Sequence, residues 1–160
     1  APIVVDYLHG GGRIGVIVAA EAGTDNDVIR EAVKNVAMQV AALTPKYVSR
    51  DEVGDDYIAH EKEILLAQIM NDPKESAKPQ KVIDGMINGR INKELKEICL
   101  LDQIYVKAED GKQTVGQYLA QVGKENATDL KITKFVRYET GEGLEKKNED
   151  FAAEVAAQMR

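Results

Sequence analysis

Two runs of β-branched and apolar residues near the start of the chain are separated by glycines. The runs, Ile3–His9 and Ile14–Ala20, have the composition of β-strands. Between them, the stretch 10–13 contains three consecutive glycines, which accept the positive φ angles that tight turns need. The pattern therefore predicts a β-hairpin at the start of the chain.

The next segment has apolar residues at helical spacing, which predicts an amphipathic helix over residues 26–43. Its apolar side would consist of Ile29, Val33, Val36, Val40 and Leu43. Thr24-Asp25 is expected to cap its start, because short polar side chains accept hydrogen bonds from the first amide groups of a helix. Thr44-Pro45 is expected to end it, since a residue before proline avoids the helical conformation.

The middle of the chain predicts two helices of similar length, over residues 55–71 and 80–98. The polar stretch 73–79 is predicted as the loop that joins them into an antiparallel helical hairpin. Their apolar stripes are expected to pack within the hairpin, with pairing to a second copy as the alternative. Gly85 and Gly89 lie one turn apart, and each costs about 1 kcal/mol relative to alanine in a helix. We therefore expect a closely packed neighbour beside these two glycines.

The last third mixes strands and helices. Leu100–Val106 is predicted as a short extended segment, and Leu130–Tyr138 as a strand with its even-numbered residues on one face. Helices are predicted after Thr114 and over residues 148–159. The order predicts an α+β fold in which a small antiparallel sheet packs with helices, with an inserted antiparallel helical hairpin and a C-terminal helix.

These elements predict four segments. Residues 1–48 and 99–140 would form the two parts of an α+β core subdomain, and residues 49–98 would be a helical hairpin inserted between them. Residues 141–160 would form a C-terminal module. The first residues resemble a strand already under way, without an initiator methionine, so we expect a piece of a larger protein. A whole protein whose methionine has been removed is the alternative.

The composition narrows the classes of function. Of the 160 residues, 44% are hydrophobic and 30% are charged, which is typical of a globular chain. The 21 basic and 27 acidic residues give a net charge of −6, which disfavours nucleic acid as a partner because phosphate binding needs clustered Lys and Arg. The apolar runs are too short to cross a bilayer and no signal peptide is visible. We therefore expect no membrane partner and a cytoplasmic location.

Three motifs resemble chemical signatures, but each lacks the context that its chemistry needs. The glycines of residues 10–15 match a dinucleotide-binding pattern, yet a predicted strand follows them instead of a helix. His9 and the glycines after it match an esterase oxyanion loop, but no serine lies in a nucleophile elbow. His60-Glu61 begins like a zinc-protease helix, but Ile64 stands where the second histidine would be.

Cysteine usage excludes two further kinds of site. Cys99 is the single cysteine, so neither an intrachain disulfide nor a metal site with several cysteines is possible. Beside apolar neighbours, Cys99 is predicted to be a small buried hydrophobic residue. Together with the three rejected motifs, this predicts no catalytic residues, no metal site and no cofactor.

His9 remains a candidate for a functional role. It ends a predicted strand beside the glycine turn. One interpretation is an ordinary exposed histidine at the end of a strand. The other is a side chain that the tip of the hairpin presents to a partner.

Five stretches of the chain are similar to the family of bacterial elongation factor Ts. They are Tyr7–Val16, Val36–Val48, Gly89–Leu101, Phe135–Lys147 and Asp150–Gln158. They lie in the family's order and cover essentially the whole chain. Members of the family also have an N-terminal helical domain and a subdomain with a Thr-Asp-Phe-Val motif, and these 160 residues contain neither.

The resemblance implies a guanine-nucleotide exchange factor of translation elongation that binds the GTPase elongation factor Tu. Such a factor stabilises the nucleotide-free GTPase and performs no covalent step. The missing motif implies that this chain binds but exchanges poorly. The helical hairpin, over residues 55–98, resembles the segment that some members use for self-association. A structural module that self-associates through this hairpin, forming a homodimer, is therefore the alternative function.

The resemblance also implies which residues meet the partner. His9 matches the family histidine that faces the partner's nucleotide domain, and Gly10 and Arg13 lie in the same turn. Val106 and Lys107 match a segment that meets the partner's C-terminal β-barrel, although the family has a hydrophobic residue in place of Lys107. The implied partner-binding set is His9, Gly10, Arg13, Val106, Lys107, Phe151 and Val155.

Overall fold

A computed structural model describes residues 2–139, which form three strands and five helices. The strands are Pro2–His9 (β1), Ile14–Ala22 (β2) and Leu130–Glu139 (β3). The helices are Asp27–Leu43 (α1), Asp55–Met70 (α2), Pro73–Ser76 (α3), Gln80–Ile98 (α4) and Val115–Glu125 (α5). The predicted α+β class with a small antiparallel sheet is confirmed. The helix predicted at 148–159 and the module predicted at 141–160 lie outside the described residues.

The described residues form two compact units. The sheet unit contains residues 2–44 and 117–139, and the helical unit contains residues 45–116. This division by packing does not test the four predicted segments, which stay predictions. None of the helices within residues 2–139 is both long and apolar enough to cross a membrane.

The sheet has the order β1-β2-β3, and both pairs of strands are antiparallel. β1 and β2 pair from Pro2 opposite Glu21 to His9 opposite Ile14. The connection between His9 and Ile14 is the glycine turn 10–13, so the predicted β-hairpin is confirmed.

One face of the sheet packs against α1. Alternate strand residues point to this inner face and are buried, and so is the apolar side of the helix. The fully buried side chains include Ile3, Val16, Val18, Ile29, Val33, Val36 and Val40. The predicted stripe of α1 is therefore confirmed as core, except that Leu43, in its last turn, is half exposed.

The start of α1 differs from the prediction by one to two residues. The Asn26 side chain caps the helix, since its Oδ1 accepts a hydrogen bond from the Ile29 amide at 2.9 Å. Asp25 instead forms a two-bond ion pair with Arg30, with both N–O distances at 2.8 Å. The expected cap at Thr24-Asp25 was wrong, because only the residue directly before the first helical turn can reach the amide three positions on.

A β-bulge in β3 overturns the predicted single-face alternation of that strand. The register with β2 shifts next to Ala19, which leaves Thr133 as an extra residue whose hydroxyl donates to the Ala19 carbonyl at 3.2 Å. Ile132 is therefore buried on the inner face, whereas Val136 and Tyr138 point outwards and are half exposed. The even-numbered residues thus divide between two faces.

The helical unit is organised around α2 and α4, which pack against each other. The Tyr57 hydroxyl, near the start of α2, donates to a carboxylate oxygen of Glu94, near the end of α4, at 2.7 Å, so the helices are antiparallel. This bond to a carboxylate raises the pKa of the Tyr57 phenol. The buried cluster of the helical unit contains residues of α2 and α4 and two residues beside them: Val53, Ile69, Ile83, Ile87, Ile91, Leu95 and Cys99. The expectation that the apolar stripe packs within the hairpin is confirmed.

Two local predictions in the helical unit were wrong, and a third is not met among the described residues. The predicted loop 73–79 begins with the helical turn α3, because Asp72 caps it and Pro73 occupies its first position. The segment predicted as extended begins with a 3₁₀ turn, Leu100–Asp102. At Gly85 and Gly89 no described atom lies within 4 Å of the place where a Cβ would be. Close packing within the described residues therefore does not explain these two glycines.

Candidate partner-binding site

The turn of the β-hairpin has a backbone that only glycine adopts easily. Gly10, Gly11 and Gly12 have φ angles of +63°, +71° and +91°, all in the left-handed region. The turn residues and both flanking side chains, His9 and Arg13, are exposed. The sequence therefore builds a narrow, exposed turn with His9 on one side and Arg13 on the other.

His9 is held by a neighbour on its own strand. Tyr7 lies two residues earlier, so both side chains are on the same face of the sheet. The Tyr7 hydroxyl lies 2.9 Å from His9 Nδ1, and the two ring centroids are 5.8 Å apart. Within residues 2–139, His9 Nε2 makes no hydrogen bond. The outer edge of the imidazole is thus available to another molecule.

The second predicted contact region is a braced loop of the helical unit. Ile104 forms an isolated antiparallel bridge with Thr114, and the Tyr105 amide donates to the Gln113 carbonyl at 2.8 Å. Tyr105 is buried, whereas Val106 is 48% exposed and Lys107 is exposed as well. This arrangement presents an apolar side chain and a cation on a loop whose base is fixed.

Asp110 stabilises the far side of this loop. Its carboxylate accepts hydrogen bonds from the backbone amides of Lys112 and Gln113, both at 2.9 Å. These bonds favour the charged form and lower the pKa of Asp110. The turn after Lys107 is therefore closed by its own side chain.

The structure brings only some of the predicted contact residues together. His9, Gly10 and Arg13 share one turn of the sheet unit, and Val106 with Lys107 shares one loop of the helical unit. Phe151 and Val155 lie outside the described residues. Exposure at these positions is compatible with contact but does not test it, so the predicted contacts stay predictions.

Sequence reasoning missed two residues beside these positions. Tyr7 contacts His9, and its spacing of two residues within a predicted strand was the available signal. Ile104 is 46% exposed and lies two residues before Val106, so the loop presents two apolar side chains where one was expected.

The structure agrees with the context predicted for the glycine pattern and for His60, two of the motifs that resembled chemical signatures. Strand β2, not a helix, follows the glycine pattern, and His60 is an exposed residue of α2. Cys99 is fully buried as predicted, and its burial raises the pKa of the thiol. In the part of the chain that the structure describes, no three His, Cys, Asp or Glu side chains are grouped so as to hold a metal ion.

Comparison with known proteins gives a consistent match. The family model described as elongation factor TS matches residues 1–142. Elongation factor Ts of Clostridioides difficile (strain 630) is 50% identical over 157 residues, which are 98% of this chain and 50% of that protein. The Desulforamulus reducens protein is 46% identical over 164 residues, covering 99% of this chain and 72% of its own length. That of Clostridium botulinum (strain 657) is 47% identical over 157 residues, with 98% and 49% covered. The chain thus spans about half the length of two of these three relatives.

Proposed function

The chain belongs to the elongation factor Ts family, and we propose that it binds the GTPase elongation factor Tu and favours its nucleotide-free state. The match of the family model to residues 1–142 is the observation on which this proposal rests. We place this activity in translation elongation, in the cytoplasm.

The proposed mechanism is thermodynamic linkage. If the chain binds the empty GTPase more tightly than the GDP form, it weakens GDP binding by the same factor. No bond in GDP is made or broken, so the function requires a binding surface and no catalytic residue, metal or cofactor. The exposed glycine turn, with an imidazole edge directed outwards, has the character of such a surface.

The proposed surface has three parts. His9, Gly10 and Arg13 would meet the nucleotide domain of elongation factor Tu, and Val106 with Lys107 would meet its C-terminal β-barrel. Phe151 and Val155 would add a third contact with the nucleotide domain. The half-exposed pair Ile104 and Val106 supports the second contact, since the core of a protein interface is more apolar than its rim.

We further propose that these 160 residues bind but accelerate GDP release only weakly, because they contain no Thr-Asp-Phe-Val motif. The test mixes the chain with elongation factor Tu preloaded with a fluorescent GDP and follows both complex formation and nucleotide release. We expect a complex and a small rise in the release rate. Release at the full rate of a family member that has the motif would contradict the second proposal. The absence of any complex would contradict the first.

His9→Ala tests the proposed contact at the glycine turn. We expect the affinity to fall by about 5- to 10-fold, as is typical when a residue that contributes to an interface is truncated to alanine. Thermal stability should change little, because His9 is exposed. His60→Ala is the matched control, since His60 is an exposed histidine on α2. Equal affinity of the two variants would remove His9 from the interface.

Self-association through the helical hairpin is the second candidate function. Most of the apolar stripe is buried between α2 and α4, but Leu66, Met70 and Val82 remain exposed on the hairpin. Analytical ultracentrifugation across a wide concentration range tests this candidate. A dimer that Leu66→Asp dissociates would support it, and a monomer at every concentration would exclude it.

A further inference from the structure

Tyr7 lies in β1, two residues before the exposed last residue of the strand, His9. Its cross-strand partner is the buried Val16, and its own side chain is partly buried. Its hydroxyl lies 2.9 Å from Nδ1 of His9, the last residue of β1 before the glycine turn. A half-buried side chain is thus hydrogen-bonded to a side chain that faces solvent.

The chemistry of the two groups decides which of them donates the proton. A phenol O–H is a stronger acid than the N–H of a neutral imidazole, and an imidazole nitrogen is a stronger base than a phenol oxygen. The Tyr7 hydroxyl therefore donates to Nδ1 of the neutral ring, and the ring proton lies on Nε2. If the ring gains a proton, Nδ1–H donates to the Tyr7 oxygen and Nε2–H is unchanged. In both states the outward nitrogen is a hydrogen-bond donor.

We propose that Tyr7 is a positioning residue, which through its bond to Nδ1 orients the His9 ring and presents Nε2–H to an acceptor oxygen of the partner. The binding part of this inference rests on the proposed function. The orientation of the ring is a property of the free chain and is tested without a partner.

The free chain is tested by ¹⁵N NMR of the neutral His9 imidazole. We expect Nδ1 to have the chemical shift of an unprotonated nitrogen that accepts a hydrogen bond, and Nε2 that of a protonated nitrogen. Tyr7→Phe keeps the ring but removes the hydroxyl, and it should move both shifts towards the average of the two tautomers. A proton on Nδ1 in the unaltered chain, or identical spectra in the two proteins, would overturn the proposal.

The complex is tested with a double-mutant cycle on the affinity for elongation factor Tu. Tyr7→Phe should weaken binding by about fivefold, the net value of one hydrogen bond, and should have no further effect in a His9→Ala background. Equal weakening in both backgrounds would show that Tyr7 acts independently of His9 and would overturn the proposal. Thermal unfolding of each variant identifies any loss caused by instability of the fold.

Two replacements of His9 test the chemistry of the partner group. Gln keeps an N–H donor, whereas Glu has acceptors only when ionised. His9→Gln should therefore retain more affinity than His9→Glu, and the reverse order would contradict an acceptor oxygen on the partner. If the unaltered chain does not bind elongation factor Tu at all, the proposed function fails. The NMR comparison alone then decides whether Tyr7 orients His9.

Discussion

The two hairpins of this chain restrict their sequences in different ways. In the β-hairpin, three consecutive glycines have positive φ, and a Cβ at Gly15 would overlap the ring of Tyr138 on the neighbouring strand. In the helical hairpin, Gly85 and Gly89 face open space among the described residues. Both hairpins bury apolar side chains, but the β-hairpin also constrains its glycines through backbone conformation and close approach, and the helical hairpin places neither constraint on Gly85 and Gly89 among the described residues.

The two hairpins also differ in which side chains they expose to a partner. The β-hairpin leaves His9 and Arg13 exposed beside a turn whose positive φ angles favour glycine. The helical hairpin encloses its apolar stripe and joins its two ends with the Tyr57–Glu94 hydrogen bond. Substitutions in the turn should thus affect recognition and turn geometry, and substitutions between α2 and α4 should affect stability.

The largest expected effect is at the core of the helical hairpin. Ile87 is 7% exposed within the cluster, and Ile87→Ala should lower the free energy of unfolding by about 2–4 kcal/mol because it leaves a cavity. Ile64→Ala is the matched control on α2, where the side chain is 38% exposed, and should change this free energy by about 0.5 kcal/mol or less. Chemical denaturation measures both, and equal losses would mean that the cluster does not hold the hairpin together.

The next effect is at the glycine turn. Gly11 has a φ of +71° and open space around the place of a Cβ, so Gly11→Ala tests backbone conformation alone. We expect a loss of about 1 kcal/mol, and a smaller loss for Gly11→Asn, because asparagine accepts left-handed conformations more readily. Thermal unfolding compares the two variants. Unchanged stability in Gly11→Ala would show that the turn does not require glycine.

A glycine in the helical hairpin should respond to substitution in the opposite direction from the glycines of the turn. Gly89→Ala should raise the free energy of unfolding by about 0.5–1 kcal/mol, since alanine is the better helix former and meets no described atom there. Gly15→Ala should raise the free energy of unfolding less, because the Tyr138 ring must move to make room for the added Cβ. Destabilisation by Gly89→Ala would indicate a packed neighbour beyond the described residues.

The smallest effect is a pH dependence at the start of α1. The hydrogen bonds from Arg30 lower the pKa of Asp25 from its usual 3.8. This exposed pair therefore stabilises the folded state at pH values above the usual pKa, and its contribution to stability is lost as the pH falls through the lowered pKa. Unfolding measured between about pH 5 and pH 3 should therefore depend slightly less on pH in Asp25→Asn. Arg30→Gln should flatten the profile in the same way. A steeper profile in either variant would reverse the assigned sign.

Apolar spacing was sufficient to predict the main elements of the fold. Helix α1, the β-hairpin and the helical hairpin each bury a long stripe, and the free energy of that burial outweighs local detail. The errors in α1 and β3 occurred where a single side-chain hydrogen bond determines the local structure. Asn26 replaced the expected cap, and the extra residue Thr133 moved half of β3 to the other face. Neither contact changes the hydrophobic pattern from which the elements were predicted.

For the candidate site, the sequence predicted where the residues lie in the fold but not which contacts they make. The sequence placed His9 at the end of a strand beside a flexible turn, but it could not show that Tyr7 binds Nδ1. That contact depends on side-chain rotamers, whereas alternation along a strand defines only a shared face. The contact region around Val106 was known only by resemblance, and its bracing by Asp110 depends on a turn that apolar spacing does not encode.

The central claim is that this chain prefers the empty form of elongation factor Tu, and its affinity for two forms of the GTPase tests this most directly. Isothermal titration would compare nucleotide-free elongation factor Tu with the same protein saturated with GDP. The account predicts at least about tenfold tighter binding to the nucleotide-free form, which by linkage is the factor by which the chain weakens GDP binding. Equal affinity for the two forms would contradict it.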